Sequence, residues 1–103
     1  MTTAERYIFD NLAVVGLPIK GSYTKSEAAI ALAVSSRTIE RAVVNWEPHP
    51  DDPSRPRREQ WLNAVTTPGG HMRIAHAELV RYATMNQYWR RANAPDERQM
   101  GLF

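Results

Sequence analysis

Prolines at positions 48, 50, 53 and 56 divide this chain in two. A proline has no amide hydrogen to give a helix or an inner strand, and its ring clashes with the preceding helical turn. Residues 45–58 are therefore neither helix nor central strand, and a loop with freedom to move is expected there. Regular structure has to lie on either side of it.

On the N-terminal side, Ile8, Leu12 and Val15 recur at the i, i+4, i+7 spacing of one helical face and predict a helix over residues 4–15, ended by Gly16 and Pro18. Residues 17–22 read as a connector. Thr24-Lys25-Ser26-Glu27 has the form of a capping box, in which the Thr hydroxyl and the Glu carboxylate each satisfy a free amide of the first turn. Ala28-Ala29-Ile30-Ala31-Leu32 is the body of that second helix, Ala33-Val34 breaks it, and Ser35 is a good N-cap for a third helix at about 36–44. On the C-terminal side, residues 61–65 and 71–74 can pair as a hairpin around Thr66-Thr67-Pro68-Gly69-Gly70, with the glycines supplying positive φ. A last helix runs from His76 to Asn86 or Arg91 with Leu79, Tyr82 and Ala83 on its apolar side, and Pro95 stops what remains of it. The fold class that follows is mainly α with a small β-hairpin. An N-terminal helix and connector (1–22) precede a winged helix-turn-helix domain (23–91) and a loose tail (92–103).

The middle helices carry the functional argument. Two helices crossing steeply over a short turn come close at their contact and need small residues there. Ala29 and Ala33 are expected to provide them, with Leu32 and Val34 filling the space beneath the turn. Ile39, Ala42 and Val43 then point inward, which leaves Ser36, Arg37, Glu40, Arg41 and Val44 outside. Such a face suits a major groove. Arginine donates bidentately to guanine O6 and N7 or clamps a phosphate, Ser and Thr hydroxyls reach either, and the third helix's free N-terminal amides favour a phosphate oxygen. Glu40 can accept from cytosine N4 or hold Arg37 or Arg41 in one rotamer. A plain helical hairpin with a solvated polar side is the alternative for the same pattern. The hairpin strengthens the nucleic-acid reading: glycine lets a main chain approach DNA closely, and Arg73 on the return strand is placed for a phosphate or a narrow minor groove.

Three segments in order carry a family resemblance. The run from Tyr23 through Thr24-Lys25-Ser26-Glu27-Ala28-Ala29 to Ser35-Ser36-Arg37-Thr38-Ile39-Glu40-Arg41 resembles the opening of MerR-like, excisionase-type winged-helix domains. Pro68-Gly69-Gly70-His71-Met72-Arg73-Ile74 resembles their wing, and Ala77-Glu78-Leu79-Val80-Arg81-Tyr82 the helix after it. The resemblance covers about half the chain. It implies a double-stranded DNA partner, with Ser36, Arg37, Thr38 and Arg41 facing the duplex and Arg73 gripping its backbone, in transcription regulation or recombination. With Ser35, Glu40 and His71 these form the expected DNA-binding set. Two features depart from the family: the proline-rich segment is longer than usual, and the helix over 4–15 is additional, free to cover the core or to form a homodimer face. Arg55, Arg57 and Arg58 in the proline-rich segment read either as an extra phosphate contact or as part of a solvated loop.

The chain ends Gln99-Met100-Gly101-Leu102-Phe103, which resembles the Gln-x-x-Leu-Phe pentapeptide that docks bacterial replication proteins on the sliding clamp. Leu102 and Phe103 would enter an apolar pocket while Gln99 bonds its rim; alternatively they fold back onto the domain's own core. A protein–protein adaptor anchored by Trp46, Trp61, Tyr88 or Trp89 is the second class of function the sequence allows.

Composition narrows the rest. The chain has 103 residues, enough for one self-sufficient core, and no cysteine, which excludes disulfides and thiolate metal sites. No apolar run approaches the roughly 18 residues of a membrane span, and the N-terminus lacks the layout of a secretion signal, so a cytoplasmic location is expected. The formal net charge of +2 alone decides nothing about partners. His49, His71 and His76 lack metal-ligand spacing, no phosphate-binding loop or nucleophile elbow is present, and no enzyme, cofactor or metal is expected.

Overall fold

The structure, a computed structural model, describes residues 1–87. It holds four helices and a small antiparallel sheet: α1 (Thr3–Val14), β1 (Ser22–Tyr23), α2 (Lys25–Leu32), α3 (Ser36–Val44), β2 (Val65–Thr66), β3 (Met72–Ala75) and α4 (His76–Asn86). Among the described residues no helix is long and apolar enough to cross a membrane.

Local signals set most of the boundaries. Thr2 and Glu5 form a capping box at the start of α1, and Thr24 and Glu27 form the expected one at the start of α2. Ser35 caps α3, its Oγ accepting from the Thr38 amide at 3.1 Å. At its far end α4 stops at Asn86, where Gln87 takes a left-handed conformation.

The α2 helix ends at Ala33-Val34 as expected, but Ala33 has a different role there. Ala33 is not a helix-contact residue; it is exposed and sits in the left-handed region at φ 54°, ψ 44°. Its amide bonds the Ile30 carbonyl and the Val34 amide bonds that of Ala29, at 3.1 and 3.0 Å. This is the pairing of a Schellman cap, a position that usually holds glycine. The two remaining free carbonyls are taken by α1: Asn11 Nδ2 donates to Ala31 O at 2.9 Å and the Tyr7 hydroxyl to Leu32 O at 3.4 Å. Every carbonyl orphaned at this helix end is thus satisfied. Because alanine is strained in the left-handed region, Ala33→Gly is expected to stabilise the protein by about 0.5–1 kcal/mol, read as a raised urea midpoint at unchanged slope.

The small residues that do bring the helices together are Ala28, Ala29 and Ala31 of α2 and Ala42 of α3, all buried. They pack with Ile8 and Leu12 of α1, Ile39 of α3, Leu62, Ile74 of β3 and Leu79, Tyr82 and Ala83 of α4 in one core. Val34, expected beneath the turn, and Val43, expected inward from its helical spacing, both border it.

The sheet is larger than the expected hairpin. Its order is β1-β3-β2, with Tyr23 opposite Ile74 on one side of β3 and Val65 opposite Arg73 on the other. Ser22, expected in a connector, belongs to β1. Tyr23 is fully buried; its hydroxyl accepts from the Lys20 amide and meets His76 Nδ1, each at 2.9 Å. Residues 61–64 are not strand, against expectation. Leu62 turns into the core instead, with its amide bonded to Ala42 O of α3 at 3.1 Å. At the hairpin tip, the Gly70 amide reaches Thr67 O at 2.9 Å and the Thr67 amide reaches His71 O at 2.8 Å. Of the two glycines only Gly70 takes positive φ, +80°. A three-residue loop with a left-handed third residue is one of the standard hairpin solutions.

The proline-rich segment is a loop, as its composition predicts, an excursion that carries its own backbone hydrogen bonds. The Arg57 amide bonds Glu47 O at 2.8 Å and the His49 amide bonds Arg55 O at 2.9 Å. Pro48 and Pro56 face each other between these bonds. In an antiparallel ladder that is a pair whose amides are not called on, so both prolines fit without a lost bond. The return leg is fastened by α4: Arg81 donates to the carbonyls of Glu59 and Trp61 at 3.2 and 2.7 Å, and Asn86 to Glu59 O at 2.9 Å. Glu78 accepts from the Asn63 amide at 2.7 Å.

Candidate nucleic-acid interface

The α3 helix separates its two sides cleanly. Ile39 and Ala42 are buried and Val43 is half-buried, while Ser36, Arg37, Thr38, Glu40, Arg41 and Val44 are all exposed. Arg37 and Arg41, one turn apart, form no hydrogen bond or ion pair among the described residues. Two cations held on a rigid helix with open donors are suited to an anionic or guanine-bearing partner.

Glu40 behaves differently from the expectation that it would hold Arg37 or Arg41. It forms an ion pair with Lys25 at the start of α2, and that bond, aided by the charge of Arg37, holds its carboxyl below the usual glutamate range. The partner lies on another helix, fifteen residues earlier. The pairing ties α2 to α3.

The hydroxyls are also engaged. Ser35 Oγ serves both the Thr38 amide and the Thr38 hydroxyl, the latter at 2.9 Å. Ser35 and Thr38 thus organise the start of α3 in this structure, and Ser36 is the hydroxyl left open there.

The hairpin borders the same region. A cleft of about 640 Å³ is lined by Thr24, Lys25 and Ser26 of the α2 start, by Glu40 of α3, and by Thr67, Gly70, His71, Met72 and Arg73 of the hairpin. Hairpin and α3 therefore meet across a shared groove. His71 is exposed beside the tip, its amide bonded to Thr67 Oγ1 at 3.2 Å and its ring 3.3 Å from where a side chain on Gly69 would begin. Arg73 is not the free wing arginine expected. Half-buried, it donates to Ser22 Oγ at 3.1 Å and Ser22 O at 3.4 Å across the sheet. Its neighbours Met72 and Ile74 pack against the core, and on the other face its guanidinium reaches Ser22, the diagonal residue of β1.

The other arginines singled out by the sequence have partners in the excursion. Arg57 pairs with Glu47 at 3.5 Å, and Arg58 lies 5.8 Å from the Trp61 ring centroid. Of these interactions only the Arg58–Trp61 stacking had a sequence signal, a cation three residues before an aromatic. Trp46 and Trp61 are half-buried, and the Trp46 indole nitrogen is enclosed without a hydrogen-bond partner among the described residues. Tyr88 and Trp89, like Gln99, Leu102 and Phe103 of the clamp-type pentapeptide, lie outside the described residues. No group of three or more metal-ligating side chains occurs among the described residues. The chain matches no protein-family model, no curated protein and no solved structure.

Proposed function

We propose that this chain is a winged helix-turn-helix protein that binds double-stranded DNA sequence-specifically. The α3 helix enters the major groove and the β2–β3 hairpin lies on the adjacent backbone or minor groove. Its use would be the control of transcription or of recombination, as in the MerR-like, excisionase-type proteins it resembles. One observation carries the proposal: Arg37 and Arg41 stand exposed, without a hydrogen bond or ion pair among the described residues, on a helix whose opposite side is locked into the core, and the hairpin borders a cleft that α3 reaches through the intervening Glu40. The strand preceding the helix pair supports it further, because β1 joins the hairpin through β3 and fixes it to the frame that carries α3. Arg73 then serves the wing by holding β3 to β1, while His71 and the Gly69-Gly70 main chain form its DNA-facing tip. Lys25 is already engaged by Glu40, which leaves the base-reading positions to Ser36, Arg37 and Arg41.

Selection from a random duplex pool tests the proposal. A recurring sequence motif is expected among retained fragments, with affinity falling steeply between about 50 and 200 mM salt as phosphate contacts release counterions. Retention of no duplex at either salt would remove the DNA function and favour an adaptor.

A further inference from the structure

Val44 continues the line of the two arginines. It follows Arg37 by seven residues and Arg41 by three, which places all three on one side of α3, and it is 80% exposed. The core gains nothing from a side chain so placed; the adjacent Val43 already packs inward. Alanine at this position would favour the helix more than a β-branched residue does. An α-helix rises about 1.5 Å per residue, so Arg37 and Val44 are about 10.5 Å apart along the axis, close to three base steps of about 3.4 Å. A row of that length meets successive base pairs in one groove.

Resting on the duplex-binding function proposed above, we propose that Val44 reads the 5-methyl group of a thymine, about three base steps from the base edge held by Arg37. The methyl of thymine is the apolar feature that the major groove displays among donors and acceptors. Arginine offers it nothing, whereas a branched aliphatic side chain covers it and removes apolar area of both partners from water. The recognition row is then cation, cation, methyl reader.

The test begins with the fragment selected by the wild-type chain. Each thymine in it is replaced singly by uracil, which deletes the methyl and keeps the hydrogen-bonding edge. One position is expected to cost the wild type about fourfold in affinity, the worth of one buried carbon. Val44→Ala is expected to fold normally, to bind the thymine fragment about fourfold more weakly, and to bind thymine and uracil at that position equally. A fragment with no methyl-sensitive thymine, or one to which Val44→Ala stays as methyl-sensitive as the wild type, overturns the assignment of Val44 and leaves duplex binding standing. Failure of the wild type to retain any duplex overturns both.

Discussion

Replacing Arg37 and Arg41 together by alanine is expected to lower affinity for a selected duplex by about thirtyfold to 25,000-fold. An arginine that touches a base edge is worth about 1–3 kcal/mol, and two such contacts at separate base pairs add roughly. The fold itself is expected to be indifferent. Both side chains are exposed and neither holds another residue, so the change in unfolding free energy stays within about 0.5 kcal/mol. Loss of binding at an unchanged urea midpoint therefore assigns the two residues to DNA and not to architecture. Single variants separate their roles. A base-reading arginine relaxes specificity at one position of the site, whereas a phosphate-gripping one weakens all sequences alike and flattens the salt dependence by about one unit of slope. A doubly substituted protein that retards the selected fragment as well as the wild type removes α3 as the reading element.

The largest stability effect is expected at Tyr23. Fully buried, it contributes a ring to the core and a hydroxyl that joins the Lys20 amide to His76. Truncating a buried aromatic costs about 3–5 kcal/mol, against a total of about 5–15 kcal/mol for a domain of this size. Tyr23→Ala is expected to lower the urea midpoint far more than any surface substitution. Tyr23→Phe keeps the ring and removes only the hydroxyl, orphaning two polar partners, and is expected to cost about 1–2 kcal/mol. Both values can be read from urea titrations followed by circular dichroism. A Tyr23→Ala protein that unfolds at the wild-type midpoint would mean that β1 is not docked on β3, and that the hairpin lacks its link to the helices.

What could be read from the chain, and what could not, divides by distance along it. The capping box at Thr24 and Glu27, the cap at Ser35 and the inward spacing of Ile39 and Ala42 are local chemistry, and each stands where the residues placed it. Nothing local announces β1. Two residues are too few for an alternating pattern, and their partners lie on β3, with Ser22 facing Ala75. The same separation hid the partner of Arg73, since the Ser22 oxygens come to it only after the sheet forms. Lys25 and Glu40 belong to different helices, so spacing within α3 suggested the wrong neighbour for Glu40. Ala33 misled for another reason. Its small side chain suits a helix crossing and its helix propensity is high, yet the turn into α3 required a left-handed residue at that point. In the proline-rich segment, composition correctly excluded regular helix and inner strand. It carried no sign that Pro48 and Pro56 would face each other, because that depends on which rungs of a ladder need amides.

The facing prolines give the excursion a property of its own. Its two legs are joined at Glu47–Arg57 and at His49–Arg55, and its return leg is fastened to α4. Length added at the Asp51–Asp52 tip is therefore insulated from both α3 and the β2–β3 hairpin. The entropic penalty of a longer loop grows only as the logarithm of its length, about 0.6 kcal/mol per doubling. The tip is thus a natural insertion point, where a tag, a fluorophore or a tethered second domain could be carried without disturbing α3 or the hairpin.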